Sequence, residues 1–309
     1  MTLMLSQSGR RRRTMQAIAS KENDMFAITG ITGQVGGQLA TQLLDAGLPV
    51  RAVLRDPAKS AAWAARGCEI ALAAMDDAAA LTAAFAGAQA VFVLLPPTFD
   101  PTPGFVEARR QIAAISSALR AAKVPRVVCL STIGAEATQE NLLTQLQQLE
   151  HALADLPAAV SFLRAAWFIE NAAWDVEVAR SAGVLHSFLQ PLERPVAMVA
   201  TADVARLAAT LLQEPFDGHR VVELEGPARV SPVDLAAALG RALGRPVVPQ
   251  AVERAGWEAL FRGQGMANPG PRMRMLDGFN EGWIDFGAGS RKGSTPLQAV
   301  VDALVARSR

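Results

Sequence analysis

Residues 25–37 read Met-Phe-Ala-Ile-Thr-Gly-Ile-Thr-Gly-Gln-Val-Gly-Gly: a short apolar run, glycines at 30, 33 and 36, then the first turn of an amphipathic segment. Each glycine has a physical task. Gly30 permits a sharp turn where a strand ends, Gly33 lets the backbone approach a pyrophosphate, and Gly36 lets a helix pack closely on the strand. The spacing predicts a helix over Val35–Ala46, with Leu39, Leu43 and Leu44 on one face and Gly47 as its stop. The start of such a helix offers free N–H groups and a partial positive charge to an anion. A strand, a glycine turn and a helix in this order are the context a dinucleotide site requires.

The same alternation continues outward from this turn. Strands are predicted at PVRAVLR, CEIALA, Ala90–Leu95, RVVCLS and AVSFLR, with helices over Pro57–Arg66, Asp77–Ala86, Gly104–Lys123 and Gln139–Asp155. Ala90–Leu95 and RVVCLS run apolar almost without interruption, which marks strands buried on both faces, as in a parallel sheet covered by helices. The expected fold is therefore α/β, a doubly wound parallel sheet of Rossmann type over 25–164. After Arg164 the pattern loosens. Short strands (PVAMVA, RVVELEG, RPVVPQA) alternate with helices at Thr201–Gln213, Ser231–Leu243 and Val252–Arg262. Gly263–Gly293, rich in Gly and Pro, is expected to be loop with one short helix. Residues 165–309 are expected to form a smaller C-terminal lobe capping the strand ends, partly interleaved with the core.

The second strand bears on which dinucleotide fits. An NAD site usually carries an acid at its end, about 20 residues on from the glycines, to accept from the ribose hydroxyls. Here Arg55 holds that place, and a guanidinium suits a 2′-phosphate. Lys59, one turn further on, adds a second positive charge. Asp56 precedes Pro57 and reads as the N-cap of the next helix. NADP(H) is thus expected ahead of NAD(H).

Composition excludes several classes. Half of the 309 residues are hydrophobic, enough for a large core. Lys+Arg 30 against Asp+Glu 29 leaves +1, which argues against a nucleic-acid binder. Two cysteines and three scattered histidines allow neither a disulfide framework nor a metal cluster. Tyr is 0, so no tyrosine can donate a proton. The uncharged stretch Ala78–Phe99 is interrupted by Gly87, Gln89 and Pro96-Pro97, and divides into a helix and a buried strand rather than a membrane span. The expectation is a soluble, cytoplasmic protein. Residues 1–24, with Arg10–Arg13 but no following apolar run, are expected to be a disordered tail, not a secretory signal.

TGITGQVG, VLRDPAK, VVCLSTIGA and FLRAAWFIEN together resemble the NmrA-like branch of the atypical short-chain dehydrogenases. The likeness runs from Met25 to about Leu224, and TGxTGxxG fixes only the superfamily while LRxxWFxEN is more specific. The resemblance implies a Rossmann domain binding NADP(H) under a smaller C-terminal lobe. Carried over, Gly30, Thr32, Gly33, Gln34, Val35 and Gly36 would hold the pyrophosphate, and Arg55 and Lys59 the 2′-phosphate. Met75 would contact the adenine, where relatives often keep an Asp and this chain has Ala74-Met75-Asp76. Leu95 and Pro96 would lie beside the cofactor, and Ser131 and Thr132 take the usual serine position. Trp167, Phe168 and Asn171 would form the loop by the nicotinamide, with the two aromatics walling the acceptor. The Tyr-x-x-x-Lys pair of the reductases is absent: Gln147 and His151 stand nearest to those positions.

Two functions meet these expectations. The first is NADPH-dependent transfer of hydride to a flat apolar acceptor such as a quinone or azo compound, which takes its proton from solvent. Ser131, Thr132 and His151 are its candidate catalytic residues. The second is a redox sensor that binds NADP(H) without turnover and contacts a regulatory partner or a second copy of itself.

Overall fold

The computed structural model describes residues 25–308, so the tail expected over 1–24 lies outside the described residues. Eight strands form one parallel sheet. Its first six are β1 (Phe26–Ile28), β2 (Val50–Leu54), β3 (Glu69–Leu72), β4 (Ala90–Leu94), β5 (Arg126–Thr132) and β6 (Ala159–Ala165). From one edge they run β3, β2, β1, β4, β5, β6, so the order reverses between β1 and β4. In open α/β sheets ligands bind at such a switch point, outside the carboxyl ends of the strands.

Strand burial follows the sequence pattern. All of β1 is buried and β4 is buried through Val93, whereas the edge strand β3 has exposed ends. Successive residues feed opposite faces: Ile28 and Phe92 join one core with Leu39 and Leu43 of helix α1 (Gln34–Asp45), while Ala27 and Val91 join another with Phe85 and Ile115. The second face is covered by α3 (Ala78–Phe85), α4 (Val106–Ala121) and α5 (Thr144–Leu153), with α2 (Ser60–Ala64) following β2. The uncharged stretch 78–99 is thus α3 and β4. No helix among the described residues is long and apolar enough to cross a membrane.

The chain after Arg164 divides its strands. β10 (His219–Glu225) pairs with β6, and β12 (Arg291–Lys292) pairs with β10, extending the main sheet. The remaining pairs lie outside it: β7 (Trp167–Phe168) with β9 (Met198–Val199), and β8 (Val184–Ser187) with β11 (Val248–Ala251). Helix α7 (Thr201–Gln213) packs on α1. Two buried acids attach the 290–295 segment. Asp203 accepts from the Ser294 and Thr295 amides, and Glu225 accepts from Ser290 and from Lys292 Nζ at 2.6 Å.

Several boundaries differ from expectation. The helix expected from Gly104 starts at Val106, because Gly104 and Phe105 both take left-handed backbone. The one expected from Gln139 starts at Thr144, because Asn141 Oδ1 accepts from Leu143 N and fixes a turn first. Pro57–Lys59 is a 3-10 turn ahead of α2, and Arg254–Gly256 another ahead of α9 (Trp257–Gly263). The Gly- and Pro-rich segment holds more than one short turn. Gly270–Glu281 is a 12-residue helix, α10, with Pro271 in its first turn and Met275, Leu276 and Phe279 buried. Proline at a helix start removes a donor that would be unpaired anyway. The other C-terminal helices are α6 (Val176–Ala182), α8 (Pro232–Leu243) and α11 (Leu297–Arg307).

Candidate dinucleotide and acceptor site

The crevice at the switch point is built by β1, β4 and α1. Thr29 ties the two strands: its hydroxyl donates to Phe92 O at 3.0 Å and accepts from Leu94 N at 3.2 Å. Gly30 then turns with φ +61, and a Cβ there would meet Leu94 Cδ2 at 2.5 Å. A Cβ on Gly36 would lie 2.4 Å from the backbone oxygen of Gly30, so only glycine lets α1 rest on the turn. Gly33 differs: its nearest neighbour would be Gly30 O at 3.2 Å, and it faces solvent with Thr32 and Gln34.

No side chain caps α1, and its first turn holds no acid. Its leading N–H groups are therefore left for another acceptor, with the helix dipole behind them. This glycine cradle fits a pyrophosphate. Arg55 and Lys59 are exposed past the end of β2, and no carboxylate pairs with either among the described residues. Asp56 acts as the cap the sequence suggested, accepting from Ala58 N at 2.9 Å. Met75 is half-buried in the turn after β3, and Leu95 (buried) and Pro96 (half-buried) follow β4.

The expected catalytic hydroxyls separate. Ser131 is buried, and its hydroxyl donates to Glu150 Oε1 at 2.5 Å. Glu150 is itself held by Arg164, whose Nε and Nη2 reach its two oxygens at 3.0 and 2.8 Å, and Arg164 also meets Glu136 at 2.7 Å. The Ser131 proton is thus committed to an ion-pair network rather than offered to the crevice, which runs against the catalytic role expected of it. Thr132, half-buried, makes no side-chain hydrogen bond among the described residues. His151 is exposed on α5, and Gln147 donates to Ala137 O.

The expected acceptor wall also rearranges. Trp167 packs edge-on against Phe279 of α10, centroids 5.2 Å apart, so much of its ring is core. Phe168 and Asn171 are half-buried beside it. Glu170 of the same motif accepts from Thr201 N and Oγ1 at 2.8 and 2.6 Å, and Gln38 of α1 donates to Thr201 Oγ1, so this acid ties the loop to α7 and α1. Two aromatics that are not among the expected site residues lie on the segments following β4 and β7. Phe99, on the loop after β4, and Trp174, three residues past Asn171, meet edge to face at 6.1 Å and are 44% and 67% exposed.

Asp175 follows Trp174. Its carboxyl caps nothing, and burial pushes its pKa up to about 6. A raised folded-state pKa favours the protonated form, so its contribution is most favourable below the unfolded value near 4 and is lost as pH rises through about 6. Asp175→Asn is therefore expected to raise stability by about 2 kcal/mol at pH 8 and by next to nothing at pH 3. Urea melts at the two pH values check this; an equal effect at both would contradict it.

A uncapped helix start against a glycine turn, at the reversal of a parallel sheet, defines a Rossmann-type dinucleotide site. The family model described as NAD(P)H-binding matches residues 30–215, and the chain belongs to that family. The chain is 34% identical to (4-alkanoyl-5-oxo-2,5-dihydrofuran-3-yl)methyl phosphate reductase of Streptomyces griseus, over 72% of this chain and 75% of that protein. It is 29% identical to NAD(P)H azoreductase of Xenophilus azovorans, over 78% of this chain and 82% of that one. The fold superposes with a TM-score of 0.76 on an NADPH-dependent quinone oxidoreductase of Escherichia coli crystallised with NADPH, at 26% identity over 91% of this chain and 99% of that one.

Proposed function

We propose that this protein is an NADPH-dependent reductase of a flat, electron-poor acceptor of the quinone or azo type, working without a tyrosine–lysine pair. The observation that carries the reading is the uncapped, acid-free start of α1, with Arg55 and Lys59 lacking a carboxylate partner among the described residues past the next strand. In this reading the α1 amides from Gln34 to Gly36 hold the pyrophosphate, with Thr32 and Val35 lining it. Arg55 and Lys59 hold the 2′-phosphate, and Met75, Leu95, Pro96 and Asn171 flank the rest of the cofactor. NADPH, when bound, supplies a hydride. Phe168, Phe99 and Trp174 orient the acceptor's ring and exclude water, and the Thr132 hydroxyl donates to the oxygen where negative charge develops. A quinone takes up the hydride with one solvent proton and leaves as the hydroquinone, so no buried acid is needed.

Arg55→Ala tests the cofactor assignment. A hydrogen bond to a charged group contributes roughly 1.5–3 kcal/mol, and each 1.4 kcal/mol is about tenfold. The variant is expected to weaken NADPH by about tenfold to a hundredfold and NADH by far less, with titration of both as the readout. Equal loss for both dinucleotides would make Arg55 a structural residue.

One observation favours a second reading, a dinucleotide-binding sensor: the serine position has its proton committed to Glu150, and no tyrosine is available to replace it. NADPH that binds but stays reduced with every quinone and azo acceptor would decide for the sensor.

A further inference from the structure

Arg272, on α10, is half-buried, and its guanidinium lies over the Phe261 ring at 4.5 Å with the Phe99 centroid at 6.0 Å. Its polar partner among the described residues is the Met266 thioether, 3.7 Å from Nη1. A thioether is a weak acceptor, and a guanidinium carries five donors. Burial, with no carboxylate beside it among the described residues, pulls its pKa down, yet an arginine stays charged.

The surrounding arginines are satisfied. Arg254 and Arg274 share Asp277, and Arg262 pairs with Glu258. The acid next to Phe99, Asp100, is also occupied: it accepts from the Ala267 and Asn268 amides at 2.8 and 2.6 Å. Those two bonds hold the loop after β4 against the segment leading into α10. Gln145 Nε2 adds a bond from α5 to Thr98 O on the same loop. Arg272 is thereby fixed beside the exposed Phe99–Trp174 pair, with its charge unanswered.

We infer that the acceptor is an anionic aromatic or enone, whose ring lies against Phe99 and Trp174 and whose sulfonate, carboxylate or phosphate is bound by Arg272. This rests on the reductase reading above and narrows it. A planar guanidinium binds such oxyanions bidentately, and stacking on Phe261 sets its plane in advance. Charge-assisted bonds of this kind are worth about tenfold to a hundredfold in affinity.

The test compares a naphthoquinone sulfonate with its uncharged parent, under saturating NADPH, in wild type, Arg272→Met and Arg272→Lys. The ratio of kcat/KM for the sulfonate over the parent is expected to fall by tenfold or more in Arg272→Met, through KM rather than kcat. Arg272→Lys should retain part of it, and raised salt should lower the wild-type ratio. A ratio unchanged in Arg272→Met overturns the inference. If neither quinone is reduced, the reductase reading fails separately. Calorimetry of naphthalene sulfonate on the NADP+-loaded protein then decides the anion site: tenfold weaker binding in Arg272→Met supports it, and equal or absent binding in both proteins refutes it.

Discussion

Gly33→Val is expected to abolish measurable NADPH binding, a loss above about a hundredfold, while the protein melts within a few degrees of wild type. Gly36→Val is expected to lose both binding and stability. The difference follows from what each new side chain would meet. At Gly33 the first added carbon would sit 3.2 Å from Gly30 O, a tight contact that a shift of a few tenths of an ångström relieves, with no other atom within 4 Å on the side where phosphate and backbone must meet. At Gly36 it would fall 2.4 Å from the same oxygen, and that atom belongs to the turn itself. Overpacking of this kind typically costs 1–3 kcal/mol and more where backbone must move. Paired titrations and thermal melts check both variants. Normal NADPH affinity in Gly33→Val would show that the pyrophosphate lies elsewhere.

Glu150→Ala is expected to destabilise the fold by about 3 kcal/mol, because removing one partner of a buried ion pair strands the other. Arg164 would keep only Glu136, whose side chain is 49% exposed, and Ser131 would lose its acceptor. At roughly 2–4 °C per kcal/mol for a domain of this order, the melting point should drop by about 6–12 °C. The double variant Glu150→Leu/Arg164→Met should recover most of that loss, since apolar pairs of similar volume replace buried ion pairs at little cost. A drop below about 1 kcal/mol in Glu150→Ala would mean that water already reaches the pair.

The glycine turn, the central strands and Asp56 as a cap were legible in the sequence because each is a local signal. The glycines are spaced for one backbone path, β1 and β4 are apolar throughout, and Asp56 stands directly before a proline. The Ser131–Glu150–Arg164 network was not legible, because it joins residues from β5, α5 and β6. Only Arg164, the one charge in the run AVSFLRA, hints that a buried acid must meet it. Helix α10 was obscured by its Gly and Pro content, although Pro271 marks a helix start as readily as a loop. Helix α11 had a usable signal in Val300, Val301, Leu304 and Val305, which recur at helical spacing on its buried face. Phe99 and Trp174 carry no periodicity at all. Their importance comes from the tie of Asp100 to 267–268 and from the turn after Asn171, neither of which a single sequence displays.

The same distinction governs the functional reading. In the proposed reading, cofactor binding depends on one contiguous motif and one strand end, whereas acceptor chemistry depends on side chains gathered from the loop after β4, the 167–174 segment and α10. The most direct measurement is a single-turnover experiment: the protein, loaded with one equivalent of NADPH, is mixed with excess naphthoquinone sulfonate, and nicotinamide absorbance and hydroquinone are both followed. The account predicts one equivalent of NADPH lost for each equivalent of hydroquinone formed, with NADH at the same concentration reacting far less. NADPH that remains bound and reduced in the presence of this and every other quinone or azo acceptor would contradict it.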